Sequence, residues 1–66
     1  MRDPNRIKPF CGKLRKHWEE ECPDWRFGQM ICNFMGFCMA MNQQDIFFIE
    51  DEKMEELLDE FFAENT

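Results

Sequence analysis

No stretch of the chain approaches the roughly 18–20 consecutive apolar residues that a membrane-spanning helix needs. No apolar run follows the basic residues of the opening segment MRDPNRIKPF either. The first absence excludes a helical span. The second predicts that there is no signal peptide, and together they predict a cytoplasmic protein. There is no internal repeat, linker or low-complexity segment, so the 66 residues are read as one domain. A phosphate-binding glycine loop and a recognised catalytic constellation are also missing, and a nucleophile–base pair of His17 with a cysteine would need a pocket, for which three short helices offer little volume. No enzymatic activity and no cofactor are expected.

Four cysteines are present, at positions 11, 22, 32 and 38. In a reducing compartment the default for them is the free thiol. Zinc sites need four nitrogen or sulfur donors at characteristic spacing. The successive gaps from Cys11 to His17, Cys22, Cys32 and Cys38 are 6, 5, 10 and 6 residues, which contain no C-x2-C or C-x4-C knuckle. No metal site is predicted. Cys11 and Cys38 instead fall on apolar stripes, where a thiol packs as a small hydrophobe.

What the chain does have is large apolar side chains, among them eight Phe, two Trp and six Met. They recur at helical spacing in three places. Asp3-Pro4 is a helix start, with Asp3 accepting from free N–H groups and Pro4 at the first helical position. Ile7, Phe10, Cys11, Leu14 and Trp18 then form one stripe over a helix at about 4–21, with Pro9 predicting either a kink or a short first turn before the main helix. Asp24 is the predicted N-cap of a second helix from about 25 to 36 or on to 41, with Gly36 as the earlier of the two ends. Its stripe is Phe27, Met30, Ile31, Phe34 and Cys38. Trp25, Cys32, Met35 and Met39 make this helix apolar on a second side too, which predicts the central element. Ile46-Phe47-Phe48-Ile49 reads as an extended apolar plug across the core. Glu50-Asp51 opens a third helix at about 51–63 with Met54, Leu57, Leu58, Phe61 and Phe62 as its stripe, before a polar Glu64-Asn65-Thr66 end. The expected fold is all-α, a small irregular three-helix bundle with one extended apolar segment packed on it.

The pieces Arg2-Asp3-Pro4-x-Arg6-Ile7, Trp18, Pro23-Asp24-x-Arg26-Phe27-Gly28-Gln29 and Phe47-Phe48-Ile49-Glu50-Asp51 occur in that order along most of the chain. In this pattern the chain resembles a group of short uncharacterised bacterial and phage-encoded proteins. The resemblance implies a small helical domain and carries no catalytic residue with it; the cysteines lie outside the pattern.

Charge is divided unevenly. Residues 1–17 hold six basic side chains against Asp3 alone, a net +5, whereas the other 49 residues hold 13 acids against Arg26 and Lys53, a net −11; the two give −6. Lys13, Arg15 and Lys16 lie off the first stripe and could face phosphates, but the acidic balance opposes nucleic-acid binding. The third helix carries like-charged neighbours that gain from a cationic partner, and the nearest is the first helix of the same chain. His17, close to Glu20 and Glu21, reads as an exposed histidine near a helix end. The function expected is that of a non-enzymatic protein-interaction or small regulatory module, with a nucleic-acid-associated protein using the first helix as the alternative. A homodimer through the second face of helix 2 and burial of Phe47 or Phe48 in the monomer are both open. Candidate interaction residues are Arg26 and Gln29 at the start of the second helix, and Lys13 and Lys16 on the first. For Arg26 the competing reading is a local ion pair with Asp24 or an acid of the third helix.

Overall fold

Asp3 caps the first turn as its side chain predicts, accepting from the backbone N–H of Asn5 at 2.9 Å, with Pro4 in the first position. The computed structural model describes residues 1–64; Asn65 and Thr66 of the polar end lie outside the described residues. The turn Pro4–Arg6 is 3-10, and it runs into α1 at Ile7–Glu21. Of the two outcomes Pro9 allowed, the short first turn before the main helix is the one found, and Pro9 itself sits in the first turn of α1, where backbone N–H groups have no helical partner to lose. Cys22, with its N–H on the Trp18 carbonyl, closes α1, and Pro23 prevents it from continuing.

α2 spans Phe27–Asn42 and α3 spans Asp51–Glu64. Asp24 does not cap α2; Arg26 occupies the cap position in extended backbone, without a side-chain cap bond. Residues 22–25 form a turn instead, with Trp25 N–H on the Cys22 carbonyl at 3.1 Å. That turn brings the Trp25 carbonyl to the indole N–H of Trp18 at 3.0 Å and the Trp25 ring to Phe61, so tertiary packing overrides the local cap signal. Gly36 does not end α2. The helix runs on because Phe37 and Cys38 pack beyond it, and it stops where Gln43 turns left-handed (φ 51°) with its N–H on the Met39 carbonyl.

The fold is all-α with three helices, and no strand occurs among the described residues. α3 is the central helix, not α2: α1 and α2 both pack against it. The cause is the width of its apolar stripe. Neighbouring residues on a helix point about 100° apart, so the adjacent pairs Leu57-Leu58 and Phe61-Phe62 serve two sides at once. Phe61 meets Phe34 and Phe37 of α2, with ring centres 5.5 and 5.4 Å apart. Phe62 stacks flat on His17 of α1 at 4.7 Å. The buried core is Met30, Phe34, Cys38, Ile49, Leu57, Leu58, Phe61 and Phe62; α1 adds Phe10, Leu14 and Trp18 only half-buried against it.

α1 and α3 run parallel, in a register set by the ion pairs Arg2–Glu50, Arg6–Asp51 and Lys13–Asp59. The cationic neighbour of the acidic helix is therefore the first helix of the same chain. This register also explains two departures from the sequence reading. Ile7 is exposed because at its level α3 offers acids, not apolar side chains, and Cys11 is exposed because α1 turns its Lys13–His17 flank toward α3.

Candidate interaction surface

The segment between α2 and α3 is a second 3-10 turn, Ile46–Phe48, and not an extended plug. Asp45 starts it by accepting from Phe47 N–H at 2.8 Å. Side chains three apart eclipse one another in this geometry. Ile46 and Ile49 therefore both point inward, Ile49 buried and Ile46 partly so, while Phe47 and Phe48 point out and are 82% and 66% exposed. The two rings pack edge to face at 5.0 Å. Burial of either ring in the monomer, one of the two readings left open by the sequence, does not occur.

Beside this strap runs α2, whose 16 residues include no charged side chain. Met30, Phe34 and Cys38 face the core. Met35, Met39 and Met41 are exposed, as is Phe27 at its start. Ile31 and Ile46 line the same cleft, so the flank carrying Ile31, Met35 and Met39 is the one that meets the strap. The cleft lies between α1 and α2, with α3 as its floor. Its walls are wholly apolar, including Phe10, Leu14, Ile31, Ile46 and Met54, and its volume is about 170 Å³. Trp18 against Phe27 marks the hairpin end where α1 hands over to α2.

The candidate residues singled out from sequence fall in separate places. Arg26 and Gln29 are exposed and make no side-chain hydrogen bond or ion pair among the described residues, so Arg26 does not pair with Asp24 or α3. Lys13 is half-buried and bonded to Asp59 at 2.9 Å. Lys16 is exposed and unpaired among the described residues. His17 is half-buried, not exposed. Its Nδ1 lies 3.1 Å from Glu21 and its Nε2 2.9 Å from Asp59. Both ring nitrogens thus face carboxylates. Sequence reasoning found Glu21 by helical spacing; Asp59, on another helix, had no local signal. Burial pushes the Cys38 and Cys22 thiols up, with the charge of Glu21 adding to it at Cys22. Among the described residues, no group of three His, Cys, Asp or Glu side chains converges as metal ligands would.

The Asp59 carboxyl is held below the usual range, first by the His17 hydrogen bond and then by Lys13, whose own pKa is raised by the same contact. A depressed carboxyl pKa contributes stability above the unfolded value of about 3.9 and loses it as pH falls through the lower folded value. Arg2 acts on Glu50 in the same sense. Thermal melts of the wild type should therefore fall steeply below about pH 4, and Asp59→Asn should melt lower at neutral pH with a shallower acid slope. Lys13→Glu should lower the melting temperature by several degrees and added salt should blunt the loss, whereas Lys16→Glu should change it little.

No helix among the described residues is long and apolar enough to cross a membrane. In comparisons with known proteins no family model, no curated sequence and no solved structure matches the chain.

Proposed function

We propose that the chain is a non-enzymatic protein-interaction module, a small accessory or regulatory protein that docks through the Phe47–Phe48 strap and the adjoining uncharged flank of α2. The observation that carries this reading is the aromatic pair held away from the core. Asp45 caps the turn, Ile46 and Ile49 anchor it, and the two most interface-prone side chains of the segment are left in solvent. Met35 and Met39 beside them supply the adaptable apolar surface that such contacts favour.

The alternative, a nucleic-acid surface on α1, has less support. Arg2, Arg6, Lys13 and Arg15 already face carboxylates, which leaves Lys8 and Lys16 unpaired among the described residues of the basic segment. Two cations give a weak phosphate footprint.

The test is a comparison of tagged wild type with Phe47→Ala/Phe48→Ala and with Lys8→Glu/Lys16→Glu in the native cell, by cross-linking followed by binding measured on purified components. The expected result is a stoichiometric protein complex that survives high salt, is lost in the aromatic variant and persists in the charge variant. Binding that vanishes with salt and with the lysine changes would instead favour phosphate recognition.

A further inference from the structure

The exposed ring pair adjoins the apolar cleft along the chain: Ile46 forms part of the cleft wall, and Phe47 and Phe48 follow it into solvent. We infer that the occupant of this cleft and strap is a second copy of this chain, with the Phe47–Phe48 pair of each copy seating a ring in the cleft of the other. The inference rests on the interaction-module reading and names its partner.

Size is the first argument. A dry apolar cavity of about 150 Å³ accepts benzene, and the cleft holds about 170 Å³ with no polar lining. One phenyl ring fits without stranding a hydrogen-bonding group. The chain's own rings do not fill it, because the capped turn that sends Ile46 and Ile49 inward sends Phe47 and Phe48 out.

Charge is the second argument. Each copy carries −6. Two copies meeting through α1 or α3 would bring ionised faces together. The cleft walls and the whole of α2 contain no charged residue, so a meeting there opposes fewer like charges, Asp45 and Glu50 beside the rings being the acids it brings near.

Area is the third. The accessible surface is 5099 Å², against about 4,500 Å² for a folded monomer of this mass. The chain thus exposes about 600 Å² more than is usual for its mass, and Phe47, Phe48, Met35 and Met39 are among its exposed large hydrophobics. Symmetry completes the case. A knob and a hole far apart would build an open chain of subunits, whereas an adjoining knob and hole close a two-fold dimer with two equal insertions.

Sedimentation equilibrium of the full chain, from micromolar to submillimolar concentration, tests this. The apparent mass should rise from 8.1 kDa toward twice that value. Phe47→Ala/Phe48→Ala removes exposed rings and should weaken self-association by about tenfold or more while leaving the helical spectrum intact. Ile31→Phe fills the cleft and should weaken it similarly. Mixing the two variants should restore part of the association, since one intact ring pair then meets one intact cleft. A wild type that stays monomeric throughout overturns the inference, as does a dimer that neither variant weakens or a mixture that shows no recovery. A monomer that still loses a foreign partner on removal of the rings keeps the interaction-module reading; one that loses none ends both.

Discussion

Phe62→Ala should remove about half or more of the chain's stability and bring its melting midpoint far below that of the wild type. Phe62 is 1% exposed and belongs to the largest fully buried side chains. It stacks on His17 and packs edge to face with Phe61 at 5.1 Å, so it is where α1 is seated on α3. Truncating a buried phenylalanine costs about 3–5 kcal/mol. A domain of this length has only about 3–10 kcal/mol in total, at roughly 0.05–0.15 kcal/mol per residue. Collapse around the lost ring cannot recover much, because Phe62 already borders the open cleft and its removal enlarges that void. Circular dichroism and a thermal melt read the outcome. Phe27→Ala is the matched control, since that ring is 55% exposed and its loss should shift the midpoint by only a few degrees. A cooperative melt of Phe62→Ala close to that of the wild type would mean that α3 is not the element holding the other two together.

The three helices are legible in the sequence because their apolar spacing is local information. The pairing of the basic first helix with the acidic third is legible too, since opposite charges in one small chain have few other places to go. Their register is not: it depends on Arg2, Arg6 and Lys13 meeting Glu50, Asp51 and Asp59 across more than forty residues of chain. The centre of the fold misleads for a physical reason. α2 is apolar nearly all round, which signals burial, yet Met35, Met39 and Met41 are exposed. α3 is strongly acidic, which signals a surface helix, yet its two adjacent apolar pairs let it serve two neighbours. Asp24 is a sound local cap signal that loses to the Trp18–Trp25 contact. The strap carried its own clue in Ile46 and Ile49, which are three apart. That spacing fits a 3-10 turn with both isoleucines inward, whereas a strand would put Ile46 and Phe48 on one face and Phe47 and Ile49 on the other. The same clue bears on the candidate site. Arg26 and Gln29 lie in the Pro23–Gln29 piece of the sequence pattern, but the side chains that the fold holds out as a pair are Phe47 and Phe48.

Replacing Gly12 and Gly36 together with alanine should raise the melting temperature by about 5–15 °C, a gain as informative as the loss at Phe62. Both glycines lie inside helices, α1 and α2, at ordinary negative φ. A methyl group built at either meets nothing within 4 Å. Glycine in a helix interior costs roughly 0.5–1 kcal/mol relative to alanine, chiefly through the freedom of the unfolded chain. The two positions are on different helices with no shared neighbour, so their effects should add to about 1–2 kcal/mol. One kilocalorie per mole moves the midpoint of a domain this small by about 4–8 °C. Neither residue is required by packing within one copy, and they differ in what surrounds them. Gly36 stands beside the exposed Met35 on α2, whereas Gly12 stands on α1. Single substitutions separate the two cases. Gly12→Ala should stabilise equally at all protein concentrations. If Gly36→Ala stabilises the dilute chain but gains less as concentration rises, the open space at Gly36 is filled by a neighbouring copy, and the uncharged helix is part of the contact.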